Sequence, residues 1–213
     1  MHAEQVRIGA LALPGSLVVP TQALGMVVFA HDGDGARLEP RSLIAADVLE
    51  GLHLATFVPD LTPDLRAEDW QHESDVAQLG KRLELVLDWL SIRRDLVGLG
   101  VGLFGVNAGV AAALWTAAMN PNRVAAIVAS AGRPDLAAPY LTRVQAPTLL
   151  IVGGADAEVT HVNRCALGLL HCDKRLEVVP GATLTRDEPA ASQTVAHLAG
   201  TWFLRHLARK RLS

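Results

Sequence analysis

Residues 101–119 constrain this chain more than any other stretch. The apolar run Val101, Leu103 and Phe104 leads into Gly105-Val106-Asn107-Ala108-Gly109, and a helical stretch from Val110 to Met119 follows. Strand, glycine-flanked sharp turn and helix form the context in which a Gly-x-Ser-x-Gly elbow pushes its middle residue toward substrate. The rest of the chain must supply the sheet to which this unit belongs. The middle residue here is Asn107. A carboxamide has no ionisable proton and its nitrogen lone pair is delocalised into the carbonyl. It cannot take the covalent role of Ser, Cys or Asp.

Apolar runs and helical periodicity alternate along the remaining sequence. Gln5–Leu13 and Leu17–Val19 read as two short strands turning at Pro14-Gly15-Ser16. Met26–Ala30 and Leu52–Val58 read as buried strands, with a helix from Pro40 to Glu50 between them. Glu73 to Ser91 is an amphipathic helix, with Val76, Leu79, Leu83, Val86, Leu87 and Leu90 on one face. Strands at Val124–Ala129, Thr148–Val152 and Leu176–Val179, and helices at Glu158–Leu170 and Ala190–Leu207, complete the pattern. Continuous Val/Ile/Leu strands separated by helices predict an α/β fold: a mostly parallel twisted sheet covered on both faces. The opening pair predicts antiparallel strands at one edge. Only about 18 residues separate the Val124–Ala129 and Thr148–Val152 strands, too few for a large cap domain. Residues 1–213 read as a single domain.

Half the residues are hydrophobic, so a substantial core can form. A net charge of −3 argues against nucleic-acid binding, which calls for a basic face. The run Arg205–Arg211 complements a helix C-terminus and needs no membrane or acidic partner. No apolar stretch approaches a bilayer span. Met1–Gly9 lacks the basic start and apolar run of an export signal. Cys165 and Cys172 read as lying on one helix, ~10 Å apart along its axis, too far for a disulfide. Reduced thiols and no export signal predict a cytoplasmic protein.

Hydrolytic chemistry on an elbow needs a nucleophile, an acid and a histidine in that chain order, plus an oxyanion hole. Asp156, four residues past the Thr148–Val152 strand, is a candidate acid, although Asp there also caps the following helix. Past the last strand, Pro180-Gly181-Ala182-Thr183 leads to Leu184, which can neither accept nor relay a proton. For the oxyanion hole, a backbone N–H from the loop His31-Asp32-Gly33-Asp34-Gly35 pairs with that of Ala108. Asp32 and Asp34 bring negative charge to that place. A calcium loop is the rival reading of Asp-Gly-Asp-Gly, but the distal Glu and correctly offset glycine are missing, so a solvated turn is expected and no metal.

These residues resemble the α/β-hydrolase superfamily, and within it a dienelactone-hydrolase-like family, over nearly the whole chain. The carrying segments are Phe29-Ala30-His31, Phe104–Gly109, Gly132-Arg133-Pro134-Asp135-Leu136, the run from Ala146 to Asp156, and Val178–Thr183 followed by Glu188-Pro189. The resemblance implies that Asn107 stands at the nucleophile position, Asp156 at the acid and Leu184 at the histidine. It also implies that His31 belongs to the oxyanion loop, with Asp32 replacing the usual glycine. Arg133 and Asp135 are placed to line the mouth of the same site.

Other residues offer partial substitutes. His72, in a loop on the expected active-site side, and His161, just beyond Asp156, read as surface histidines, and Ser130 as a turn residue. The chain therefore reads as a family member without a working triad, which binds a small molecule near Asn107 or a protein partner. The alternatives are an ester or lactone hydrolase with an unorthodox site, and a structural partner of an active paralogue. No cofactor is expected. A homo-oligomer is compatible with all three.

Overall fold

The computed structural model describes residues 3–31, 39–61, 73–184 and 188–208. Among these residues, eight strands form one sheet in the order β1-β2-β4-β3-β5-β6-β7-β8. They are β1 Glu4–Ile8, β2 Leu13–Val18, β3 Gly25–Ala30, β4 Leu54–Pro59, β5 Val101–Val106, β6 Ala126–Ser130, β7 Thr148–Gly153 and β8 Lys174–Val179. The pairs β1–β2 and β2–β4 are antiparallel, and every pairing from β4 through to β8 is parallel.

Among the described residues, five α-helices cover the sheet: α1 Pro40–Gly51, α2 Glu73–Ile92, α3 Gly109–Met119, α4 Ala157–Leu169 and α5 Pro189–Leu207. Side chains alternate across each strand, so the sheet divides the apolar residues into two cores. On β3, Met26, Val28 and Ala30 face the core under α2 and α3, while Val27 and Phe29 face the core under α1 and α5. The six apolar residues that define the stripe of α2 are all buried in the first core. Helix α3 is buried along almost its whole length, as expected of a helix apolar on every side.

Two expectations need correction. Pro14-Gly15-Ser16 is not a turn: it lies within β2, and the chain reverses at residues 9–12, where the Ala12 N–H bonds to the Gly9 carbonyl. Gly15 is set in the strand by packing, because a Cβ there would stand 2.5 Å from the ring of Phe57 on β4. Cys172 is not on α4, which ends at Leu169. It is half-buried in the segment before β8, while Cys165 is exposed on the helix. The short segment between β6 and β7 forms a 3-10 helix over Pro134–Arg143 with Leu141 and Ala137 buried.

Candidate functional site

Strands β5, β6, β7 and β8 lie side by side and in parallel, so their C-terminal ends bring the elbow, the Asp156 loop and the Leu184 segment to one sheet edge. At the end of β5, Asn107 has φ 53°, in the left-handed region that Asn tolerates better than most residues. Its N–H donates to the carbonyl of Ser130 at the end of β6 (3.3 Å), and its own carbonyl accepts from Val110 (3.2 Å). The flanking glycines are steric necessities. A Cβ at Gly109 would stand 2.0 Å from the Ala30 carbonyl oxygen, and one at Gly105 2.7 Å from the Val110 Cα. The start of α3 therefore rests on the end of β3. Ala108, the N-cap of α3, is partly exposed, and at the next residue a Cβ on Gly109 would stand 2.9 Å from the backbone nitrogen of the buried His31. Helix N-termini carry partial positive charge, so this is where negative charge on a ligand is favoured.

The acid loop is laced to the segment that carries Leu184. Gly154 N–H donates to the Val179 carbonyl (2.8 Å) and Ala155 N–H to that of Ala182 (3.1 Å). Asp156 is the N-cap of α4, and its Oδ1 accepts from the Val159 N–H at 3.0 Å. The capping role read from the sequence is the one its carboxylate performs here.

Leu184 is only 6% exposed and packs in the core shared by α1 and α5. With Val106 and Ser130 it lines a cavity of about 20 Å³, wide enough for about one water. Its carbonyl accepts from a guanidinium nitrogen of Arg41 at 2.7 Å, and Arg41 also pairs with Glu39 at 2.5 Å. Arg41, Ser42 and Ser192 complete the polar part of the cavity wall. The sequence reading missed all three. Arg41 meets Leu184 across 143 residues, and nothing local to Pro40-Arg41-Ser42 signals that meeting.

Arg133 does not reach this cavity. It forms a two-pronged pair with Asp135, at 2.8 and 2.6 Å, on the loop after β6. The guanidinium hydrogen bonds hold the Asp135 carboxyl below its ordinary pKa, against a smaller opposing effect of burial, and raise that of Arg133. The two side chains therefore form a local ion pair with each other. Ser130 is buried in the cavity wall rather than in a free turn. His161 is exposed on α4, its Nε2 3.7 Å from the Cys165 sulfur. Asp32, Gly33 and His72, expected near the site, lie outside the described residues. Among the described residues, no cluster of three or more His, Cys, Asp or Glu could hold a metal, and no helix is long and apolar enough to cross a membrane.

No family model matches the sequence. Two Mycobacterium tuberculosis proteins, from strains CDC 1551 and H37Rv and each named "Putative phosphoribosyl transferase", are 41% identical over 203 residues, 95% of this chain but 46% of theirs. The chain thus spans about half the length of these curated relatives. The dienelactone hydrolase of Anabaena variabilis is 41% identical, with a TM-score of 0.87 over 97% of both chains. Est1E from Butyrivibrio proteoclasticus is 12% identical, with a TM-score of 0.75 over 95% of this chain and 99% of its own, and shares the fold alone. The expected α/β-hydrolase fold is the one found, and the chain belongs to the dienelactone hydrolase family.

Proposed function

We propose that this chain binds a small molecule at the C-terminal edge of its sheet and does not cleave it through an acyl-enzyme. The observation that carries this reading is the burial of Leu184. An isobutyl group fills the space beside the elbow from which a proton would have to be moved, and Arg41 fixes the backbone behind it. The Asn107 side chain at the elbow is a poor nucleophile, because its nitrogen lone pair is delocalised into the carbonyl and it has no ionisable proton to lose. Asp156, the one residue of the three with suitable chemistry, already caps a helix.

Binding is favoured over a purely structural role by what the site keeps. The elbow retains a left-handed Asn and two glycines that tolerate no side chain, an arrangement that persists where the surroundings enforce it. The cavity that Val106, Ser130 and Leu184 line has room for about one water, and the Arg41 guanidinium and serine hydroxyls in its wall suit the polar end of a ligand whose bulk lies outside it. The transferase name belongs to proteins of about twice this length. We assign phosphoribosyl transfer to the part of those proteins that this chain does not match.

The test is a thermal-shift screen of small esters, lactones and their carboxylic-acid products, run beside a turnover assay on the same compounds. At least one compound should raise the melting temperature without being consumed, and Asn107→Ala should reduce the shift. Turnover lost in Asp156→Ala would instead establish an unorthodox hydrolase. No shift with any compound, together with co-purification of an active homologue, would establish the structural role.

A further inference from the structure

Strand β8 ends the sheet, and among the described residues it pairs only with β7. From the parity of its hydrogen bonds we infer that β8 is a docking edge for a second copy of this chain, in one antiparallel register centred on Leu176. Thr148 N–H bonds to the Asp173 carbonyl and Gly154 N–H to the Val179 carbonyl. Alternate residues of a parallel strand point their backbone groups to opposite sides. Residues 173, 175, 177 and 179 therefore face β7, and Lys174, Leu176 and Val178 present their N–H and C=O groups outward. Such a row is a template for another strand.

Symmetry and charge select the register. A two-fold axis through an antiparallel pair can pass through residue 175, 176 or 177 and leave this strand paired along most of its length. Centred on Arg175, it sets Arg175 against its own copy. Centred on Glu177, it sets two carboxylates face to face. Like charges directly opposite destabilise a pair. Centred on Leu176, each outward-facing residue exchanges both backbone bonds, Lys174 with Val178 of the second copy and Leu176 with Leu176. Arg175 then stands opposite Glu177 of the second copy, in the non-hydrogen-bonded position where side chains are closest. In the single chain, Arg175 and Glu177 already pair with each other along the strand. Docking extends that contact across the axis as an alternating network.

The strand also lacks the usual guard. An edge lysine blocks pairing when it projects freely, but Lys174 Nζ is folded back onto the carbonyls of Leu167 and Leu170 at the end of α4, at 2.8 and 2.5 Å. Exposed Val178 and Leu169 lie along the same margin. On the opposite face, Arg175 and Glu177 border a crevice of about 130 Å³ against Trp202 and Arg205 of α5. Joining two copies makes one continuous sheet from two eight-stranded ones and covers the β8 edge of each, leaving β1 at either end.

The experiment is sedimentation velocity on the full chain and two charge variants, with circular dichroism to verify folding. Both altered side chains sit at the strand surface, so the variants should fold. The wild type should sediment as a dimer at protomer concentrations up to about 100 µM. Glu177→Arg alone and Arg175→Glu alone should be monomers, because every cross-axis pair then has like charges. Mixed together they should form a heterodimer, and the double variant carrying both exchanges should again self-associate. A monomeric wild type, single variants that stay dimeric, or a mixture that stays monomeric would each overturn the assignment.

Discussion

Replacing Leu184 by Ala separates a core residue from one poised over a reaction site. If the side chain is structural, its removal costs transfer energy and leaves a void. Buried Leu→Ala changes cost about 2.7–5.0 kcal/mol, rising with the volume of the cavity left behind. Leu184 already borders a small cavity, so fewer contacts are lost than at a fully surrounded position. The hydrogen bond from Arg41 goes to the backbone carbonyl and survives the change. The expected loss is therefore at the lower end, about 2–3 kcal/mol, which for a domain of this size lowers the melting temperature by about 5–10 °C. Urea unfolding followed by tryptophan fluorescence should show this as a lower midpoint with an unchanged slope. Leu184→Met, nearly equal in volume, should cost less than about 1.5 kcal/mol. A loss below about 0.5 kcal/mol for Leu184→Ala would mean that the side chain contributes no packing, and the account of position 184 would be wrong.

The Asp156 carboxylate is assigned to helix capping, so Asp156→Ala should lose about 1 kcal/mol and Asp156→Asn almost nothing, since Asn caps as well as Asp. A catalytic acid would not tolerate the Asn variant in a turnover assay. Gly109→Ala forces a methyl group into the Ala30 carbonyl and should cost on the order of 3 kcal/mol or prevent folding; a variant with wild-type stability would refute the tight elbow. Asp135 has a depressed folded-state pKa, so its pair with Arg133 stabilises above the unfolded carboxylate value of about 3.9 and loses that contribution as pH falls through the lower folded value. Because the pair is partly exposed, Asp135→Asn should cost less than about 1 kcal/mol at neutral pH. The gap between wild type and variant should close in strong acid; a gap constant with pH would contradict the ion pair.

The parts of the fold legible in the sequence are those whose signal is local and periodic. The apolar stripe of α2 appears at steps of three, four and seven, and the elbow is a contiguous strand, turn and helix. Asp156 was readable as a cap because capping needs only the next three residues. What escaped depends on contacts distant in the chain. Pro14-Gly15-Ser16 carries turn chemistry, but pairing with β4 and the ring of Phe57 hold it in a strand. The 3-10 helix over Pro134–Arg143 contains an internal proline and lacks a 3.6-residue pattern. At the site, the sequence could set Leu184 after the last strand. It could not show that the side chain turns into the core under α1 and α5, nor that Arg41 seals it there.

The central claim is that no covalent route to bond cleavage exists at this elbow. Stopped-flow mixing with an excess of p-nitrophenyl acetate, followed by intact-protein mass spectrometry, addresses it most directly. The account predicts no burst of nitrophenol proportional to protein and no added acetyl mass at the C-terminal edge of the sheet. A burst equal to the protein concentration, with an acetyl group mapped to Ser130 or to another residue beside Asn107, would contradict it.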